Sequence, residues 1–331
     1  MIPELRKDLV SGDWIVIAPG RAKRPEAFID KQTKRKVSGL RDCPFENPQV
    51  TGHPEPIFVY PDLKHWAVQI FSNKYPAFAH HDVGVKLRHR GPYEIFPAVG
   101  HHDVVVTRDH KKNLSDLKTV EAYQLFQAFR DRYLMFFEDP AIAYAFVFQN
   151  WGPTAGASIY HPHYQMVAIP VIPPDVSHSL EGSSRYYKEH KKCVHCVMVA
   201  WEQSEKKRVI FENKTAIAFT PFISRSPFEV RIFPKQHSPY FENSADNIMD
   251  GLVQVLQKVL GLIRKRLGDP DYNFFIHTAP IRHKENYQHY HWHIEILPKV
   301  TVRAGFELGT GVEINVVDPD EAAKLLRAKA K

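Results

Sequence analysis

The sequence is poor in cysteine, with only Cys43, Cys193 and Cys196 among 331 residues. Three thiols cannot build a disulfide framework, so the fold must rest on an apolar core, which 44% hydrophobic content over this length can supply. Long apolar runs are also missing. The longest plain one, AIAYAFVF (141–148), is far too short to cross a bilayer. The opening MIPELRKD reaches charged residues at once and lacks the apolar stretch of a secretory leader, which leads us to expect a cytoplasmic protein. The basic runs RAKRP (21–25) and KQTKRK (31–36) carry none of the interleaved aromatics that stack nucleic-acid bases, and they read as solvated loops. The formal charge of +7 still suits an anionic partner, whether nucleic acid, a membrane surface or a phosphorylated small molecule.

What the chain does contain is a repeated order of elements. Cys43, a segment ending HHDVVVTRDH at His110, a helical stretch, Asp139-Pro140, the strand-like AIAYAFVFQN and His161-Pro162-His163 follow one another in the first half. Cys193 and Cys196, SPFEVRIFPKQH ending at His237, a helical stretch, Asp269-Pro270, the strand-like DYNFFIHTAP and His291-Trp292-His293 repeat that order in the second. His110 and His161 lie 51 residues apart, His237 and His291 lie 54 apart, and such intervals survive duplication of a structural unit. Leu125, Phe129, Tyr133 and Phe136 recur at helical spacing, as do Leu252, Leu256, Val259, Ile263 and Leu267. One long helix per half among β-rich segments predicts an α+β fold of two domains, 1–177 and 178–331, each a mainly antiparallel sheet covered by that helix. The junction is expected in the polar segment 173–192, which shows no sustained apolar period.

The cysteines fall into this repeat. Cys193, Cys196, His237 and His291 make a tetrahedral zinc set, two thiolates at x2 spacing with two imidazoles, closed to water and therefore structural. The competing reading is a buried or redox-active cysteine pair beside unrelated histidines. The first half offers Cys43, Glu46, His110 and His161, with glutamate in place of the second thiolate; the alternative is that Glu46 merely solvates a loop. In SIYHPHYQ (158–165), His161, His163 and Gln165 occupy alternate positions, which share one face in an extended strand. With His161 turned to the first metal, His163 is free to attack the α-phosphorus of a nucleotide as a neutral imidazole. Gln165 cannot titrate, so its amide would donate a hydrogen bond to a phosphoryl oxygen, which favours transfer over hydrolysis.

These residues resemble the histidine-triad superfamily, and within it the galactose-1-phosphate uridylyltransferases and ADP-glucose phosphorylases. The resemblance runs through PELRKDLVSGDWIVIAPGRAKRP (3–25), FSNKYPAF (71–78), VFQNWGPTAGAS (147–158), HPHYQ (161–165), SPFEVRIFPKQH (226–237) and GFELGTG (305–311). It implies two histidine-triad-like domains and a ping-pong transfer of UMP or AMP through a nucleotidyl-histidine, with the uridylyltransferase reaction as the leading expectation. It further implies a nucleotide sugar (UDP-glucose or ADP-glucose) and hexose 1-phosphate as partners, zinc as the metal, and a homodimer as an expected assembly. His163 matches the family nucleophile and Gln165 the following glutamine. Asn150 and Ser158 match phosphate-holding residues, Asn73 one near the base and ribose, Arg21 the segment brought to the nucleotide, and Phe306 and Glu307 the pair that contacts the hexose. Some uridylyltransferases hold iron on histidines corresponding to His277, His291 and His293 with an acid; here the competing set Cys193, Cys196 and His237 for His291 favours zinc. The other classes are a histidine-triad nucleotidyl hydrolase, against which Gln165 argues, and a zinc-stabilised nucleic-acid-binding protein, which would show steeply salt-dependent binding.

Overall fold

A computed structural model of the chain describes residues 2–21, 35, 37–79 and 86–328. Most of RAKRP and KQTKRK lies outside the described residues. In chain order the first half carries β1 (Glu4–Lys7), β2 (Trp14–Ile17), β3 (Phe58–Tyr60), β4 (Val68–Ser72), β5 (Arg88–Arg90), β6 (Tyr93–Ile95), β7 (His101–Thr107), α1 (Thr119–Phe136), β8 (Tyr144–Trp151) and β9 (His163–Ile169). The second half carries α2 (Pro174–His190), α3 (Val194–Glu205), β10 (Val209–Glu212), β11 (Ala216–Phe219), β12 (Val230–Pro234), α4 (Asp246–Leu267), β13 (Tyr272–His277), β14 (His293–Pro298), α5 (Gly305–Thr310), β15 (Ile314–Asn315) and α6 (Pro319–Arg327).

The main sheet has ten strands in the order β10-β11-β12-β14-β13-β8-β9-β7-β4-β3, all paired antiparallel. Read from either end, that order is the same series of five, so the repeated motifs of the sequence become two mirrored blocks of one sheet. The blocks meet where β8 pairs with β13, with Phe148 opposite Phe275. β1 and β2 form a separate hairpin joined by β15.

Period-2 burial sorts the two faces of this sheet. Val105, Val147, Tyr164, Met166, Phe274, Ile276, Ile294 and Ile296 point to one side, where they join the main core with the buried stripes of α1 and α4. The α4 stripe includes Leu252, Leu256, Val259, Ile263 and Leu267; burying each such side chain contributes about 2 kcal/mol. The helix stops at Gly268, whose φ of 73° is the left-handed geometry of a glycine cap and whose N–H reaches the Arg264 carbonyl. His163 and Gln165 project to the opposite face.

The segment 173–192, in which the junction is expected, is mostly the helix α2, with Pro174 in its first turn and Lys191 as a left-handed cap. Few residues anchor it: Val176, Leu180, Gly182 and Ser183 are buried. Gly182 is required by close approach, since a Cβ there would lie 1.6 Å from the Val10 carbonyl oxygen. No described helix is long and apolar enough to cross a membrane.

Candidate active site and metal centres

Three of the four residues expected in the first metal set converge. The ligating atoms of Cys43, His110 and His161 all lie within 4.8 Å of one another, and all three residues are buried. Cys43 Sγ is 3.3 Å from His161 Nδ1, while His161 Nε2 donates to the Thr107 carbonyl at 2.7 Å and His110 Nε2 to that of Ser38 at 3.0 Å. These carbonyls fix both tautomers so that each Nδ1 carries its lone pair toward the cluster. His110 Nδ1 is buried without a hydrogen-bond partner, which is the state of a nitrogen placed for a metal. Glu46, expected as the fourth ligand, is not among the atoms that converge within 4.8 Å: its Oε1 lies 3.2 Å from Arg108 and its Oε2 is buried without a hydrogen-bond partner.

The second set is complete. Cys193, Cys196, His237 and His291 present ligating atoms within 4.8 Å of one another. Cys196 Sγ lies 3.3 Å from His237 Nδ1 and 3.5 Å from His291 Nδ1, and His237 Nε2 donates to the Gln288 carbonyl. Cys193 opens α3 and Cys196 sits in its first turn, so the helix brings both sulfurs to one end. The Cys196 thiol donates to Cys193, which holds the Cys193 sulfur as a thiolate far below the ordinary thiol range and pushes Cys196 up. Two sulfurs and two imidazoles at this separation fit zinc.

His161 belongs to the turn before β9 and its side chain enters the first cluster, while His163, the first residue of the strand, projects to the face opposite α1 and α4 and is itself buried. The His161 carbonyl accepts from His163 Nδ1 at 2.9 Å. Nδ1 is therefore the protonated nitrogen, and Nε2 keeps its lone pair with no hydrogen bond among the described residues. Burial pushes the His163 pKa below its ordinary value, against the smaller opposing effect of that carbonyl, so the ring is neutral at neutral pH. Phe45, two residues beyond Cys43, packs against it with ring centroids 5.1 Å apart.

Around this histidine, Gln165 lies two residues along β9 and is half-buried. Its Oε1 is 2.7 Å from His102 Nε2, a neighbour the sequence reading missed. Asn73 sits at the end of β4, with its side-chain oxygen accepting the Tyr75 N–H. Asn150 on β8 accepts from Asn273 across the junction of the two blocks at 2.9 Å. Ser158 is exposed in the loop between β8 and β9. That loop turns at Gly152, whose φ is 84° and where a Cβ would lie 1.9 Å from Asp271 Oδ1. Asp271 secures the loop by accepting from the Thr154 backbone and hydroxyl. Arg21 is exposed at the end of a short 3-10 turn. Phe306 and Glu307 lie on α5, where Phe306 borders a depression with Leu5, Trp14 and Val312, and Glu307 accepts the Ala304 N–H.

Two families match this chain: the galactose-1-phosphate uridyl transferase N-terminal domain over residues 1–173, and a domain of unknown function (DUF4921) over 94–329. An ADP-glucose phosphorylase from Arabidopsis thaliana is 36% identical over 329 residues, covering 98% of this chain and 92% of the relative. A galactose-1-phosphate uridylyltransferase from Thermotoga maritima is 29% identical over 334 residues, covering 98% of both chains. Among solved structures, an Arabidopsis thaliana ADP-glucose phosphorylase with bound ADP-glucose superposes with a TM-score of 0.84 at 34% identity over 100% of both chains. A uridylyltransferase superposes with a TM-score of 0.75 at 30% identity over 98% of both. With a family model over residues 1–173 and a relative 36% identical across nearly its whole length, this chain belongs to the galactose-1-phosphate uridyl transferase family.

Proposed function

We propose that the protein moves a nucleoside monophosphate from a nucleotide sugar to a phosphate acceptor through a covalent intermediate on His163. The observation that carries this reading is the commitment of His163 Nδ1 to the His161 carbonyl, which leaves a neutral Nε2 with its lone pair unclaimed. Nε2 attacks the α-phosphorus, a P–N bond forms, and the P–O bond to hexose 1-phosphate breaks. The positive charge acquired by the ring is held by the Nδ1–H bond to the carbonyl. An oxygen of the acceptor phosphate then attacks the same phosphorus and the P–N bond breaks, returning the neutral imidazole. The Gln165 amide donates to a phosphoryl oxygen in both steps but has no proton to give a leaving group, so water gains no general acid.

Asn150, on β8, and Ser158, in the loop that leads to His163, are assigned to the phosphates; Asn73 and Arg21 are assigned to the nucleoside. Phe306 and Glu307 are assigned to the hexose. Zinc is the metal the two clusters would hold, Cys193, Cys196, His237 and His291 at one and Cys43, His110 and His161 at the other. When bound it supplies rigidity, because four protein donors leave no open position at the second site. In the first cluster the ligand His161 is also the residue whose carbonyl orients the nucleophile.

The identities of 36% and 29% support adenylyl transfer from ADP-glucose to inorganic phosphate over uridylyl transfer. The family model over 1–173 supports the second reading, UDP-glucose with galactose 1-phosphate. Steady-state assays of the two donor–acceptor pairs separate them. The first reading predicts ADP and glucose 1-phosphate from ADP-glucose and phosphate; turnover confined to UDP-glucose and galactose 1-phosphate would replace it with the second.

A further inference from the structure

The function of Gln165 depends on which end of its amide faces the phosphate, and nothing in a free glutamine decides that. The answer lies on the neighbouring strand. His102 Nδ1 lies 3.0 Å from the backbone N–H of Ala77. A backbone N–H can only donate, so Nδ1 is the acceptor and the hydrogen of the neutral ring sits on Nε2. That Nε2–H points at the Gln165 oxygen 2.7 Å away. The side-chain oxygen of Gln165 is thereby occupied, and its NH2 group is turned away from His102. Asn73 Nδ2 also lies 3.2 Å from His102 Nε2, but the Asn73 oxygen is held by the Tyr75 N–H, so two N–H groups meet there and Gln165 alone accepts.

We infer that His102 is a positioning residue, which relays the direction of the Ala77 N–H through its ring to lock the Gln165 amide with its donor end free for the phosphoryl oxygen. The corresponding position in the second block shows what the alternative would be. Gln165 pairs with Phe148 and Glu295 with Phe275, residues that face each other at the junction, so Glu295 occupies the equivalent site. There the side chain has only acceptors, and Arg225 and His277 take both oxygens at 2.7 and 2.8 Å. A site that offers a donor to phosphate needs both an amide at this position and a partner that claims its oxygen.

This inference rests on the nucleotidyl-transfer reading, and its test measures the two separately. The rate of covalent nucleotidylation by ADP-glucose and by UDP-glucose is followed by intact mass in the wild type, His102→Leu, His102→Gln, Gln165→Glu and the double variant His102→Leu/Gln165→Glu. His102→Leu should slow adduct formation about tenfold or more with little change in KM, the scale expected when a transition-state contact is misdirected. His102→Gln keeps an N–H near the position of Nε2 and should recover part of that loss, which a merely structural role would not produce. Adding His102→Leu to Gln165→Glu should cost nothing further, since no amide remains to be aligned. A wild-type adduct with an unchanged rate in His102→Leu, or with the two losses multiplying in the double variant, overturns the positioning role while leaving the nucleophile in place. No adduct in the wild type removes the functional reading and the inference with it.

Discussion

His163 and His293 open equivalent strands and donate Nδ1–H to the carbonyl of the histidine two residues earlier, at 2.9 and 3.1 Å. Both rings are buried, but their neighbours differ: His163 packs against Phe45 with centroids 5.1 Å apart. His293 is stacked on Phe233 at 4.7 Å and His277 at 4.9 Å, and lies 5.2 Å from His195 on α3. Burial, with the nearby positive groups, drives its pKa well below the ordinary value. The acid two residues on is charged: burial opposes its ionisation, but Arg225, His277 and Arg231 outweigh that and hold Glu295 well below the usual carboxylate range. One backbone scheme therefore carries two chemistries. His195 of α3 packs on the second block's histidine, and an amide-to-acid difference puts an ion-pair cluster where the first block has the Gln165–His102 hydrogen bond.

The sharpest break in this comparison is His163→Gly. It should abolish nucleotidyl transfer while leaving helix content near wild type, with a loss of thermal stability no larger than that of His293→Gly, because the ring is buried but lies outside both clusters. His293→Gly should do the reverse, keeping adduct formation at reduced stability; removal of a buried ring costs about 3 kcal/mol or more. Equal loss of transfer in both, with the fold retained, would mean that the second block takes part in the chemistry.

The two metal sets differ next. Cys193→Ser should lower the bound zinc measured by elemental analysis and reduce Tm; about 3 kcal/mol corresponds to several degrees in a chain of this size. An unchanged metal content would remove the second cluster from the account. Glu46→Cys restores the x2 spacing in the first block, and zinc there should then exchange more slowly with a chelator. Unaltered release would mean that position 46 cannot reach the metal. The smallest effect expected is that of Gly152→Ala, which combines a positive φ with a clash against Asp271 and should cost about 1–3 kcal/mol; wild-type stability would show that the loop can shift at no cost.

Much of this arrangement is legible in the sequence because duplication writes it twice. Two-residue alternation picks out His163 and Gln165, and cysteine and histidine spacing picks out the complete second cluster. Glu46 is not settled by spacing alone: one carboxylate oxygen lies 3.2 Å from Arg108 and the other is buried without a partner, outside the three ligating atoms that converge. The helix α2 is hidden because its anchorage is short, two apolar residues and a glycine pressed on the Val10 carbonyl rather than a long stripe. His102 is hidden because its meaning lies in register. Only when β7 pairs with β9 does it come beside Gln165, and no spacing along the chain reports that.

The most direct test of the account is the intact mass of the protein after brief exposure to an equal mixture of ADP-glucose and UDP-glucose, followed by peptide mapping. The account predicts one nucleoside monophosphate per chain, AMP on the leading reading, attached to His163 and absent from His163→Gly. An unmodified wild-type protein, or an adduct that survives loss of His163, would contradict it.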